Sequence, residues 1–362
     1  MSDRLLSRKR AQRNAVAALF LSHREAAASC ALVSGFALAA LIALPVAGQS
    51  PAVAAKAAGG AAKTGNWVAS KTPDGQPDLQ GIWNNGTVTP MERPAELAGK
   101  EFFTEKEALA WEKQVLARTN RDQRAPGTVQ DVARAYNDIW WDSGTRVVRT
   151  LRTSMVIDPP DGRIPPLTLQ AQEAQRARAE LRQHPAETPR DRMLAERCLQ
   201  FPTSGPPMTP YVYNNNFRIV QTKDYVAINI ELLHDVRMIP LDGRAHLPSN
   251  IRLWFGDSIG HWEANTLVVD TTNFTNKTSF RGSDQNLHVI ERFTRIDPET
   301  IVYRFTIDDP TAFTKPWTAE LTMVKSPGPI YEYDCHEGNY GMMNLLKGAR
   351  AEEKAAAEGN QK

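Results

Sequence analysis

The sequence predicts a mainly β protein with added helices (α+β), in which an antiparallel meander closes into a barrel; a two-sheet β-sandwich is the alternative. Three observations predict it. From Tyr211 to Cys335 apolar and polar residues alternate with period two through six or more segments. Turn-forming residues separate these segments at Asp242-Gly243, Glu263-Ala264-Asn265, Asp297-Pro298-Glu299 and Pro327-Gly328. Helix signals gather in residues 100–200 and at the C-terminus. A long row of adjacent antiparallel strands exposes two hydrogen-bonding edges, and closing the row removes both.

Residues 1–48 read as a secretory signal peptide. Arg4, Arg8, Lys9, Arg10, Arg13 and Arg24 form a basic leader and an apolar run extends to Leu44. Val46-Ala47-Gly48 supplies a small-residue cleavage site, with Ala52-Val53-Ala54 as a second. An uncleaved anchor is the rival reading. Ser34, Gly35 and Pro45 disfavour it, because a permanent span needs about 20 apolar residues. The chain is therefore expected in the periplasm or outside the cell, with no permanent membrane span after cleavage. Residues 49–77, which begin as a run of Ala, Gly, Ser and Lys, are expected to form a disordered spacer. A single β-rich domain over 78–346, with its helical segment at 100–200, and a C-terminal helix or tail over 347–362 complete the organisation.

Within the domain, Leu79-Gln80-Gly81-Ile82-Trp83 reads as an entering strand. Thr104-Glu105-Lys106-Glu107 is a capping box, in which hydroxyl and carboxylate each meet a backbone N–H, and it starts a helix to about Asn120. Pro159-Pro160-Asp161-Gly162 predicts a turn joining two strands, 147–158 and 163 onward. Thr168 to Gln183 reads as a polar surface helix. Thr188-Pro189-Arg190-Asp191 starts another, predicted to run to Cys198. Strand alternation is clearest where Val226, Ile228, Ile230 and Leu232 interleave with Tyr225, Ala227, Asn229 and Glu231. It recurs at Ile301, Tyr303, Phe305 and Ile307, and at Trp317, Ala319, Leu321 and Met323.

Charge excludes one class of partner. Residues 1–48 hold six of the 43 Lys/Arg and two of the 41 Asp/Glu, leaving 37 basic against 39 acidic side chains, a net charge of −2. No basic excess or stripe remains to grip nucleic acid. Cys30 departs with the signal, so Cys198 and Cys335 are expected to pair in an oxidising compartment, with two buried free thiols as the rival. Oligomeric state is not readable.

Five of the six histidines outside the signal lie in the strand region: His234, His246, His261, His288 and His336; His184 is elsewhere. Imidazole exchanges protons or binds metals near neutral pH. His234-Asp235 with Arg237 ends a predicted strand, where side chains reach a barrel rim. Cys335-His336-Glu337-Gly338-Asn339-Tyr340 joins the expected disulfide to an imidazole, an acid, an amide and a phenol. Glu291 shares a strand face with Leu287, Val289 and Phe293. Pointing inward it would be an acid of raised pKa; paired with Arg292 or Arg304 it would be structural. The catalytic candidates are thus His234, Asp235, Arg237, Glu291, His336 and Glu337. Tyr213, Asn214, Asn215 and Asn216 in YVYNNNF, together with His246, His288 and Tyr340, are candidates for ligand contact, although the three amides would equally tie down their own loop. Histidine spacings of 12, 15, 27 and 48 form no standard metal motif. No cofactor is expected, and a divalent metal held by strands distant in sequence stays open. Nucleophile elbow, Walker, dinucleotide and HExxH motifs are missing from the sequence.

PDLQGIW (77–83), DPPDGRIPP (158–166), GDSIGHWEANTLVVDTTNF (256–274), ERFTRID (291–297) and CHEGNY (335–340) resemble a large group of uncharacterised exported bacterial proteins. That likeness spans nearly all of the chain beyond the signal and carries no catalytic assignment. Gly81-x-Trp83 with the meander resembles lipocalin-type barrels, which implies a Trp closing one barrel end. Two functions follow as expectations. The first is an exported lyase or hydrolase acting on a small carbohydrate-like or plant-derived molecule, with His234 and His336 as acid or base. The second is a non-catalytic, lipocalin-like carrier of a small molecule. A structural module of the cell envelope, with no pocket, is a third.

Overall fold

Strand alternation is realised as the sequence predicts. In β3 (Asn216–Gln221) Phe217, Ile219 and Gln221 are buried and Arg218 and Val220 exposed, and β4 (Tyr225–Ile230) buries Val226, Ile228 and Ile230. The structure, a computed structural model, describes residues 67–359 except 124–126, 130, 132–137, 139, 140 and 279. The predicted signal peptide, the spacer up to residue 66 and residues 360–362 lie outside the described residues. The described part of the expected spacer, residues 67–77, is folded. Residues 67–77 fold into a turn, with Thr72 N–H donating to the Gln76 carbonyl at 2.8 Å and Ala69 and Thr72 buried.

The remaining strands are β1 (Gly81–Asn84), β2 (Val156–Asp158), β5 (Val236–Pro240), β6 (Asp257–Glu263), β7 (Thr266–Thr272), β8 (His288–Asp297), β9 (Thr300–Asp308) and β10 (Trp317–Lys325). They form one antiparallel sheet in the order β5-β4-β3-β1-β10-β9-β8-β7-β6, with β2 added on β10. The nine-strand path curls into a nearly closed barrel. Its ends, β5 and β6, lie side by side without a hydrogen-bonded ladder, which leaves one unsealed seam. The meander is also interrupted once, because β1 inserts between β3 and β10.

Barrel closure follows from what the inner face carries. Trp83, Phe217, Phe293, Tyr303, Phe305 and Trp317 are fully buried and fill the interior with rings. Burying each such side chain contributes roughly 1.5–3 kcal/mol. Trp83 donates its indole N–H to the Leu79 carbonyl at 2.9 Å. The Arg295 guanidinium lies over the Trp83 ring, 5.3 Å from its centroid, and donates to the Asp78 carbonyl at 2.9 Å. At the seam, Gly260 permits close approach: a Cβ there would stand 2.8 Å from Ile239 and 2.9 Å from Leu241.

Among the described residues three α-helices decorate the barrel. α1 (Glu105–Thr119) starts at the predicted capping box on Thr104 and Glu107, and buries Ala108, Trp111 and Val115 against Phe103 and Val147. α2 (Leu169–Leu181) is capped by Thr168 and mostly exposed; α3 (Tyr340–Gly359) buries only Ala349. Two local expectations differ. The turn at Pro159–Gly162 forms, yet the chain after it makes no partner strand. Pro165 and Pro166 lack N–H donors, the Ile164 N–H is taken by Glu92, and β2 pairs with β10 instead. The predicted helix from Thr188 is a single 3-10 turn, Pro189–Asp191, which ends where Arg192 adopts an extended backbone. Among the described residues no helix is long and apolar enough to cross a membrane.

Candidate functional site

Cys198 and Cys335 are disulfide-bonded across 137 residues of sequence, with Cα atoms 5.7 Å apart. The bridge brings the 330s segment to the loop between β4 and β5. That loop turns through a 3-10 turn, Leu232–His234, in which Leu233 has φ +70°, and the Ile230 N–H then meets the Asp235 carbonyl at 2.8 Å. Glu231, buried just before the turn, accepts from the Asn216 amide at 2.7 Å. Beside the bridge, Phe201, Tyr211, Tyr213 and Tyr333 pack edge-on and stacked, with centroids 5.3–6.4 Å apart.

Between these segments lies a cavity of about 290 Å³, lined by Cys198, Leu199, Leu233, Asp235, Trp254, Phe255, Cys335 and His336. It is close to the lower limit of about 300 Å³ usual for small-molecule sites. Its walls are apolar, and its two ionisable groups come from different predicted clusters. Asp235 is half-buried, and His336, which is exposed, stands at the mouth. Trp254 and Phe255 arrive on the loop 241–256. Gly256, at φ +69°, ends that loop where a Cβ would meet the Thr272 carbonyl at 2.6 Å, so a side chain there would displace the wall.

The structure does not gather all predicted residues at this cavity. Glu337 and Tyr340 are exposed next to it in sequence and do not line it. His234 lies in the 3-10 turn preceding Asp235. Glu291 does point into the barrel, and its partner is Arg237 rather than Arg292 or Arg304. The two make a bidentate pair, 2.9 and 2.6 Å, with side chains 4% and 0% exposed. The Tyr303 hydroxyl donates to Glu291 at 2.7 Å and accepts from the Met208 N–H at 3.0 Å. Burial pushes that phenol well above its ordinary pKa, so it stays protonated. Arg237 and Glu291, expected in support of catalysis, therefore sit in the core, and neither lines the cavity.

In YVYNNNF the loop is tied by its own amides. Asn215 is fully buried, accepting from the Tyr211 N–H at 2.8 Å and donating to the carbonyls of Tyr211 and Asp142. Asn214 has φ +55°, a conformation Asn tolerates. Tyr213 belongs to the aromatic cluster.

His246 and His288 meet on the outer face of β6, β7 and β8. His246 places Nδ1 3.0 Å from Asp257 and Nε2 3.0 Å from Asp270, and His288 Nε2 lies 2.9 Å from the other Asp270 oxygen. The Asp270 hydrogen bond raises the His288 pKa against the opposing effect of burial. Burial works against the charge on Asp270, and the two histidines more than offset it, lowering its pKa. His261 is exposed beside Glu263. Among the described residues no three His, Cys, Asp or Glu side chains converge as a metal site.

No protein-family model, curated protein or solved structure matches the chain. Sequence reasoning missed Leu199, Leu233, Trp254 and Phe255 as walls and Asp257 and Asp270 as histidine partners. Two adjacent aromatics followed by Gly256-Asp257 in a loop were the available signal for the first group. Asp270, a charge after the apolar run Leu267-Val268-Val269, was the signal for the second.

Proposed function

We propose that this chain is an exported acid–base enzyme, a lyase or hydrolase of a small carbohydrate-like or plant-derived molecule, and that it belongs with the exported bacterial group whose motifs it resembles. One observation carries the reading: Asp235 and His336, a hundred residues apart in sequence, line a single apolar-walled cavity beside the disulfide. A carboxylate and an imidazole bordering one cavity can remove a proton from a bound molecule and return it to a leaving group. The apolar walls would exclude water from the reacting bond and strengthen both groups' interactions with it. The disulfide supports export, since such bridges persist in oxidising compartments. A carrier that holds its ligand inside the barrel fits less well, because aromatic rings and the Arg237–Glu291 pair fill the interior. Incubation of the mature protein with plant-metabolite extract, followed by mass spectrometry, should reveal a converted compound. His336→Ala and Asp235→Asn are each expected to lower its turnover by about 10²–10⁴-fold with the melting temperature unchanged. Undiminished turnover in both variants would remove the proposal.

A further inference from the structure

Trp254, half-buried, borders two cavities. One is the site above; the other, about 380 Å³, is lined by Arg252, Trp254, Thr275, Asn276, Lys277 and Gln285. Their chemistries differ. The first presents carbon, sulfur, an imidazole and a carboxylate. The second presents two cations, two amides and a hydroxyl, with no acid in its lining. Arg252 is held in place through Nη1, which donates to the carbonyls of Phe274 at 3.1 Å and Gln285 at 2.6 Å. Lys277 stands with Nζ 6.0 Å from the centroid of the Trp254 ring. Among the described residues neither cation has a carboxylate partner, although most arginines of the barrel do. Two like charges beside one cavity without a counter-ion repel each other, and a bound anion relieves that repulsion.

The geometry also selects among anions. A phosphate is usually cradled by backbone N–H groups, and here the N–H groups of Lys277 and Thr278 are both occupied by the Thr275 hydroxyl at 3.2 Å. A carboxylate needs only the flat fork of an arginine and a nearby ammonium. We propose that the two cavities are one cleft and that its substrate is a ring compound bearing a carboxylate. The ring lies on Trp254, the carboxylate sits between Arg252 and Lys277, and the reacting end reaches Asp235 and His336. This substrate class rests on the acid–base reading of the first cavity. Sugar acids and aromatic acids share the chemistry, and the test separates them.

Full-length mature protein is titrated calorimetrically with glucuronate and with 4-hydroxybenzoate, each beside its methyl ester. At least one acid is expected to bind about tenfold tighter than its ester, the sum of two exposed charge contacts, and to lose that advantage at high salt. Arg252→Gln and Lys277→Gln should bring the acid to the level of its ester. Lys277→Gln alone guards against loss of the loop, since the ammonium makes no ion pair. Equal binding of acid and ester, no binding of either acid, or a preference that survives both substitutions overturns the proposal. His336-dependent turnover of a neutral compound without acid binding would sink the anionic subsite alone. Charge-dependent acid binding with turnover indifferent to His336 and Asp235 would sink the enzyme reading and leave the subsite.

Discussion

His288 and Asp270 show how single ionisable residues couple this fold to pH. The His288 imidazole gains a carboxylate on folding, so its pKa rises above the ordinary 6.5. Its contribution to stability is fully present below that value and is lost as pH climbs through the folded one. Asp270, depressed below 3.8, contributes above 3.8 and loses its effect as pH falls through its lower folded value. The pair is therefore strongest between those two ordinary values. With side chains 33% and 38% exposed, solvent screens much of the effect. We expect His288→Gln to lower the melting temperature at about pH 5 by more than at about pH 8.5. An equal loss at both would show that the hydrogen bond does not titrate. Sequence singled out both histidines of this cluster, and it could not supply their partners. Asp257 and Asp270 lie 11 and 24 residues from His246 and become neighbours only when β6 and β7 pair.

At the scale of elements, the seam between β5 and β6 is the unusual feature, because a barrel normally gains its stability from an unbroken ladder. Here side chains take over. Arg237 on β5 crosses the interior to Glu291 on β8 and approaches Ser258 on β6 at 3.4 Å, while Ser258 shares a hydrogen bond with Thr271 on β7. Removing one member leaves the other charged and buried. Arg237→Ala should therefore cost about 3–5 kcal/mol and speed amide exchange in β5 and β6 before the other strands. The double replacement Arg237→Met with Glu291→Leu should recover most of that loss, since an apolar pair of similar volume is often neutral or better. Exchange that rises uniformly over the barrel would argue that the pair does not guard the seam. Period two made the strands legible, and Glu291 was visible as an acid on an apolar face. Its partner was not, because Arg237 also fits a solvent-exposed rim in a linear reading.

For the whole molecule, the disulfide ties together two of the segments that wall the cavity. It closes 137 residues of separation, and a loop of that length corresponds to roughly 4–5 kcal/mol in the chain-entropy model, of which native bridges typically deliver 2–4. The Cys198→Ala, Cys335→Ala variant should melt earlier by that measure and lose the turnover that the proposed function expects, while its far-UV dichroism keeps the strand signature of a barrel held by its own ladders. Identical melting of the reduced and oxidised protein would show that the bridge adds nothing. Strand periodicity, the capping box on Thr104 and the pairing of two cysteines were determined by the sequence itself, because alternation, local hydrogen bonding and cysteine count are properties of near neighbours or of composition. Only the tertiary structure decided that β1 enters between β3 and β10, that β5 and β6 stay unladdered, and that Asp235, Trp254 and His336 border one space. Those contacts join residues from about twenty to more than two hundred positions apart, and their energies depend on which surfaces meet once the barrel has curled, which no local pattern encodes.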